Sequence, residues 1–340
     1  VALGTVCDIM EQTIENRQNI FWGLKVLSKT RRAGLKSMLA LAGVKEPKSS
    51  TLGFIIGPRI NSAGRLETAE KALDLMLEND AFVAFEKAKN LDDLNKKRRK
   101  IQHEALEIAI QKSKDFENDK VLVLADESFN DGIIGIVASG LLERFKKPVF
   151  VISIEGEIAK GSARSFGGFS ASQAVDKARK IIIKGGGHDA AAGVTLPTSK
   201  INEFRKIVNK FYDSLNLKNQ LEYLLPKVDI QLEDFSPISL DLFEKITALE
   251  PFGKGNEEPT FEIKNARVIA RQEMGDKKQH LKLTLTDGEN EIKMLKFNAP
   301  EDFFAEIGEE IDVVFSLGLN EWQGQKNVEG QILHLERKRV

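Results

Sequence analysis

Residues 119–215 alternate between apolar runs of strand length and longer helical patterns. Val121–Ala125 and Val149–Ile154 read as buried strands, Ala159–Ser165 as a third and Ala191–Leu196 as a fourth. Between them lie an apolar helix over Gly132–Phe145 opened by Asp131, a helix capped by Ser170 or Ser172 and running to about Ile183, and a closing amphipathic helix over 199–215. Strands that alternate with helices predict an α/β domain around a central sheet, here over 118–217. Residues 79–116 contain neither glycine nor proline, and Leu94, Ile101, Ala105 and Ile108 recur at helical spacing among Lys, Glu, Asp and Asn. This predicts one solvated connecting helix over 79–117, roughly 50 Å long at about 1.5 Å per residue. From 222 to 340 the pattern turns to strands, at Lys227–Leu232, Phe261–Arg271, His280–Thr286, Glu291–Phe297, Ile311–Leu319 and Asn327–Leu335. A short helix over 239–248 precedes most of them, and Asp287-Gly288-Glu289 is a hairpin turn signal. So many short strands in so few residues predict a small β-barrel of the OB type. Residues 1–78 read as mixed α/β with helices near 15–30 and 67–78, and Gly53–Arg65 between them reads as a loop because Gly and Pro punctuate it.

Composition adds bounds rather than a direction. The 340 residues are 41% hydrophobic and 30% charged with a formal net charge of −1, so a polyanionic partner has to be held by local basic clusters. The single cysteine, Cys7, leaves no intrachain disulfide and fits a reducing, cytoplasmic setting. No apolar run reaches the roughly 20 residues that span a bilayer, and no signal peptide is visible. The chain starts at Val1 rather than Met, which fits either a fragment or removal of an initiating Met.

The local chemistry points to phosphate. In Gly161-Ser162-Ala163-Arg164-Ser165, small residues let backbone approach a ligand, Ser162 and Ser165 offer hydroxyls, and Arg164 offers a planar fork suited to phosphate oxygens. Some twenty residues later Gly185-Gly186-Gly187-His188 supplies a second bare stretch ending in a donor or base. The two are expected as loops at one sheet edge that grip one nucleic-acid phosphate. Arg59 and Arg65 are expected to add a second phosphate contact, facing Arg164 across a cleft. Lys97 and Arg98 lie in Lys96-Lys97-Arg98-Arg99-Lys100, which is either a solvated helix face or a backbone contact. Phe252 and Trp322 either stack bases or pack into the barrel. Asp8, after Leu3–Cys7, is a carboxylate able to hold a divalent cation. His103, His188, His280 and His334 show no metal spacing, and there is no HExxH, CxxC, serine elbow or Walker loop.

Six motifs in order, Leu3-Gly4-Thr5-Val6-x-Asp8, Gly57-Pro58-Arg59-Ile60-Asn61-x-Ala63-Gly64-Arg65, Gly135–Ser139, Lys160–Ser165, Gly185–His188 and Glu250-Pro251-Phe252-Gly253-x-Gly255-Asn256, resemble the RecJ-type single-strand-specific exonucleases of the DHH phosphoesterase superfamily. The resemblance implies the C-terminal portion of a DHH domain over 1–78, then the connecting helix, a DHHA1 domain and, over 222–340, an OB-fold nucleic-acid-binding domain. It implies 5′→3′ hydrolysis of single-stranded DNA in repair and recombination, at paired Mn²⁺ or Mg²⁺ ions. Asp8 would be one ligand, and Arg59, Arg65, Ser162, Arg164, Ser165, Gly186, Gly187 and His188 would hold the strand's phosphates and sugar. Implied partners are single-stranded DNA, a single-strand-binding protein and a helicase, with the enzyme itself a monomer off the membrane. The chain departs from the family pattern in having no DHH triplet, Cys7 where Ala is usual and Asp189 where a small residue is usual. Two other readings stay open, a phosphodiesterase of dinucleotides or short oligonucleotides and an inactive nucleic-acid-binding protein.

Overall fold

The structure is a computed structural model that describes residues 1–218, 220–276, 278–300 and 303–338. Its contacts divide the chain into two units, Lys25–Leu224 and a second that pairs Val1–Leu24 with Leu225–Val340. The division therefore does not follow chain order: the first residues group with the barrel.

The N-terminal elements are helices α1 (Ala2–Cys7), α2 (Ile14–Ser28), α3 (Ala33–Leu41), α4 (Gly57–Leu66) and α5 (Glu70–Leu77). Gly53–Arg65 is not the loop that its glycines and proline suggest. A π-helical turn over Thr51–Ile56 runs directly into α4, with the Gly57 N–H bonded to the Leu52 carbonyl. Pro58 stands in the first turn of α4, at the junction with the π-helical turn. Helix α6 (Ala81–Ser113) is the long helix expected, 33 residues and about 50 Å. Its N-cap Asp80 accepts from the Phe82 and Val83 N–H groups at 2.9 and 2.8 Å. It is less solvated than its composition suggests. Ala84, Ala88, Leu91 and Leu94 are buried in its first half, and Ala105 and Ala109 in its second.

The following strands are β1 (Leu122–Asp126), β2 (Val149–Glu155), β3 (Ile158–Arg164), β4 (Lys184–Gly187) and β5 (Ala191–Pro197), interleaved with helices α7 (Ile134–Phe145), α8 (Ala171–Lys177) and α9 (Ile201–Ser214). They form one sheet in the order β1-β2-β3-β5-β4, parallel between β1 and β2 and antiparallel elsewhere. Period-2 alternation sends successive side chains to opposite faces. Val123, Phe150, Ile152, Ala159, Ala163, Val194 and Leu196 face one core with Val175, Phe204 and Val208 from α8 and α9. Phe150 and Phe204 meet edge to face at 5.1 Å, worth about 0.5–1.5 kcal/mol beyond burial. Leu122, Leu124, Val149 and Val151 face the other core, with Ala105 and Ala109 of α6 and Ile134, Val137 and Leu141 of α7. On that second face β3, β5 and β4 send no side chain into the core, so this part of the sheet stays open.

Three expectations are corrected in this region. The helix after Ser170 stops at Lys177, well short of Ile183. The two glycine-bearing stretches are not loops: Gly161–Arg164 lies within β3, and the triple glycine lies in edge strand β4, paired with β5. Asp131 does not open α7, whose N-cap is Ile133 without a side-chain bond.

The other unit carries β6 (Ile230–Leu232), α10 (Leu240–Thr247) and strands β7 (Phe261–Met274), β8 (His280–Thr286), β9 (Glu291–Lys296), β10 (Glu310–Trp322) and β11 (Gln325–Arg337). The last five run β7-β8-β9-β11-β10, and β10 pairs back to β7, which closes an OB-like barrel. Its core is filled by Phe261, Ile263, Leu281, Leu283, Met294 and Phe315, among others. Asp287 secures the β8–β9 turn by accepting from the Glu289, Asn290 and Phe235 N–H groups. Within the same unit the Gln12 N–H donates to the Lys254 carbonyl at 2.7 Å, and Arg17 Nη2 donates to the Leu249 carbonyl at 2.9 Å. No described helix is long and apolar enough to cross a membrane.

Candidate phosphate site on the open sheet face

The side chains on the open face follow from register. On β3 they are Lys160, Ser162 and Arg164, because Ala159, Gly161 and Ala163 turn to the core. Ser162 is level with Gly193 of β5 and Gly186 of β4. A Cβ on Gly186 would meet nothing within 4 Å, and one on Gly193 only the Gly161 carbonyl at 3.9 Å. The middle row is therefore a strip of backbone floored by Ser162 and no other side chain. A cavity of about 670 Å³ lies over Ser162 and Gly193, lined also by Arg65, Gly132, Ile134 and Gly135, while Gly186 is exposed on the edge strand and is not part of the lining.

Helix α7 begins at this cavity; backbone carbonyls of Asn130 and Ile133 take its Ile134 and Ile136 N–H groups, and its positive dipole end favours an anion. A Cβ on Gly135 would come within 3.1 Å of Arg164 Nη2 and 3.2 Å of Ser162 Oγ. The absence of a side chain there lets these two groups reach the helix start. Gly132 has a comparable reason: its Cβ would collide with the Arg65 carbonyl at 2.0 Å. In return Arg65 Nη1 donates to the Gly132 carbonyl at 2.8 Å, which ties the end of α4 to the cavity rim.

The charges are arranged to await an anion. Arg164 Nη1 donates to Ser162 Oγ at 3.3 Å and the Ala163 carbonyl at 2.8 Å. Arg98 on α6 donates to Asn95 Oδ1 at 2.7 Å and Gln102 Oε1 at 2.8 Å. Neither these two nor Arg65 has a carboxylate partner among the described residues. Burial, then the neighbouring Arg65, pull the Arg164 guanidinium below its ordinary value. Burial, then Arg65 and Arg99, do the same to Arg98. Arg65 repels both Arg164 and Arg98, and guanidinium groups satisfied by neutral oxygens alone leave a positive potential that a phosphate would relieve.

Not every residue singled out from the sequence reaches this place. Arg59 does not face the cavity with a free guanidinium: it pairs with Asp92 of α6 through Nε at 2.9 Å and Nη2 at 2.8 Å, and donates to the Ile55 carbonyl at 2.8 Å. Burial pushes the Asp92 carboxyl up, but the Lys96 hydrogen bond and the Arg59 and Lys96 charges outweigh it and hold it below the usual range. Arg59 thus pins α4 to α6. Ser165 is buried, and its hydroxyl donates to the Asp189 carbonyl. The Asp189 carboxylate accepts from Ser170 Oγ at the start of α8, so it braces a helix and does not pair with His188. His188 is exposed in the β4–β5 turn, its N–H on the Ala191 carbonyl, and is absent from the cavity lining. Gly187 (φ 155°) abuts Ala191 and Ala192 and shapes that turn. Lys97 is exposed on α6. Phe252 packs half-buried against the barrel core, and the Trp322 side chain lies outside the described residues. The cavity is also lined by Gly135 and Lys160, which stand in the sequence motifs, and by Gly132, Lys184, Gly193 and Thr195, which do not.

Asp8 follows the last turn of α1, exposed, in the unit that holds the barrel. Burial, then Asp8, raise the neighbouring Cys7 thiol. Among the described residues no three His, Cys, Asp or Glu side chains are placed to hold a metal ion. One carboxylate does not fit a two-metal centre.

The fold and the site thus define a DHHA1-type α/β domain with a basic cavity on its sheet, in a chain that also carries an OB barrel. Residues 118–214 match the DHHA1 domain and residues 228–334 the RecJ OB domain. The chain is 33% identical over 335 residues to the single-stranded-DNA-specific exonuclease RecJ of Bacillus subtilis, covering 96% of this chain and 42% of that protein. It is 31% identical to RecJ of Dickeya dadantii, covering 98% of this chain and 60% of that one. Crystal structures of Thermus thermophilus RecJ with Mg²⁺ and with Mn²⁺ superpose over the whole chain with TM-scores of 0.82 and 0.83 at 28% identity, and the chain covers 52% and 49% of them. The chain belongs to the RecJ family. It spans about two fifths to three fifths of the length of these curated relatives.

Proposed function

We propose that this chain carries the strand-holding part of a RecJ-type, metal-dependent exonuclease that degrades single-stranded DNA from the 5′ end in repair and recombination. The observation that carries the reading is the open floor of Ser162 and Gly193, flanked by Arg164 and Arg65, which have no carboxylate partner among the described residues. Ser162, Arg164 and Arg65 would take the terminal phosphate, and the bare strip would let sugar and backbone lie against the sheet. Gly187 and His188 would border the strand from the turn, and Arg98 would extend the positive potential. The OB barrel supports single-strand binding as a second point of hold. Mn²⁺ or Mg²⁺, which accompany RecJ in the Thermus thermophilus crystals, would activate the water in a complete enzyme, with Asp8 one ligand. No step of hydrolysis is assigned to the residues of this chain. A monomer that works in the cytoplasm with a single-strand-binding protein and a helicase completes the reading.

The test is a binding series with 5′-phosphorylated single strands of increasing length, alongside a digestion assay in Mn²⁺. Longer strands should bind more tightly than dinucleotides, and the 340-residue chain alone should digest neither. A preference for dinucleotides would favour a short-oligonucleotide phosphodiesterase, and metal-dependent digestion would overturn the assignment of chemistry.

A further inference from the structure

The open face continues beyond the Ser162 row. Two residues further along each strand, Lys160 of β3 is level with Thr195 of β5, which is level with Lys184 of β4. All three line the same cavity. Alternation puts their side chains on the same face as Ser162, since Ala159, Val194 and Leu196 turn to the opposite core. The rows are about 7 Å apart, two residues at roughly 3.4 Å each, which is the scale of one sugar-phosphate repeat of an extended strand. We infer that Lys160, Lys184 and Thr195 form a second phosphate subsite, one nucleotide along from the Arg164 seat, so that the cavity holds a strand by two consecutive phosphates.

Three observations support this. First, the cavity, at about 670 Å³, is of the size that encloses a drug-sized ligand rather than one phosphate. Second, its lining carries the cations Arg65, Lys160, Arg164 and Lys184 against Asp131 as its single carboxylate. Lys184 is exposed and has no ion pair among the described residues. Third, that carboxylate is placed on the second row: Asp131 Oδ2 lies 2.6 Å from Lys160 Nζ, with Glu155 Oε2, outside the lining, farther off at 3.7 Å. Half-exposed pairs of this kind add little stability, so Asp131 occupies Lys160 until a phosphate, with more charge and more acceptors, replaces it.

The inference rests on the Arg164 seat, and the experiment separates the two. The whole chain is titrated calorimetrically with thymidine 5′-monophosphate, with the 5′-phosphorylated dinucleotide pTpT, and with pTpT whose internucleotide linkage is an uncharged methylphosphonate. The wild type should bind pTpT about tenfold more tightly than the monophosphate, the scale of one charge-assisted hydrogen bond, and the uncharged dinucleotide no better than the monophosphate. Lys184→Gln and Lys160→Gln should each remove most of that gain and leave the monophosphate within about twofold, with Lys184→Arg restoring it. Asp131→Asn should move pTpT the other way, towards tighter binding. Thermal melts that match the wild type verify folding. Equal binding of charged and uncharged dinucleotides, or lysine variants that weaken the monophosphate as much as pTpT, would overturn the second subsite. If instead the monophosphate failed to bind, or Arg164→Ala left it unaffected, the first seat itself would be wrong.

Discussion

Replacing Gly135 by Ala sets stability and binding against each other. Gly135 lies in the first turn of α7, and alanine in a helix is favoured over glycine by up to about 1 kcal/mol. The new methyl would sit 3.1 Å from Arg164 Nη2 and 3.2 Å from Ser162 Oγ. Both are ends of side chains beside an open cavity, so they can retreat by a few tenths of an ångström at little cost to folding. The retreat moves the two groups that would hold a phosphate. Losing one charge-assisted hydrogen bond costs about 1.5–3 kcal/mol, or roughly 10- to 150-fold in affinity at about 1.4 kcal/mol per decade. The variant should therefore melt at or slightly above the wild-type temperature while binding a 5′-phosphorylated strand at least about tenfold more weakly in fluorescence anisotropy. Its affinity for the 5′-hydroxyl strand should change little. Unaltered binding of the phosphorylated strand by Gly135→Ala would refute the argument that α7, Ser162 and Arg164 meet to form the seat.

Other positions give different signatures. Gly193→Leu places a side chain in open space over the strip, so it should fold normally by circular dichroism and lose strand-end binding. Gly161→Ala points the other way, within 2.8 Å of Val194 Cγ1 and 3.1 Å of Ile152 Cγ1; overpacking should cost about 1–3 kcal/mol in urea melts. Arg59→Ala leaves Asp92 with Lys96 alone and should destabilise by about 1 kcal/mol with end-phosphate affinity kept, because its partners lie on α6 and in the turn before α4. Burial raises the Asp287 carboxyl, but N–H donors from Phe235, Asn290 and Glu289 bring it down to about 2. That is below the ordinary value of about 3.9, so the unfolded chain takes up this proton first as pH falls. The contribution is complete above about pH 4 and lost as pH falls through about 2. Asp287→Asn should flatten the fall in stability over that window.

Much of this architecture is legible in the chain because local pattern and tertiary environment agree. Helix α6 announces itself by periodicity without breakers, and β8 matches its alternating pattern end to end. Misreadings arise where a residue's partner is distant. Pro58 and its glycines suggest a loop only until α4 is seen to begin there. The triple glycine reads as a loop because glycine is a poor strand former. Its pairing with β5 and the approach of Val175 to Gly185 make a strand of it. Arg59 and Arg65 look equivalent, and what separates them is Asp92, far along the chain. A signal for Gly193 was present: a lone glycine inside the apolar run Ala191–Leu196 marks close backbone approach. The Lys160–Thr195–Lys184 row depends on register across three strands, which no local pattern encodes.

The most direct measurement of the central claim is the affinity ratio between 5′-phosphorylated and 5′-hydroxyl strands of one sequence, taken for the wild type and for Arg164→Ala at fixed salt. A ratio of about ten or more in the wild type that falls close to one in the variant, the loss of one charged contact, is the result predicted. A wild-type ratio near one, or a ratio that survives the loss of Arg164, would contradict the assignment of the open sheet face as the seat of the strand's terminal phosphate.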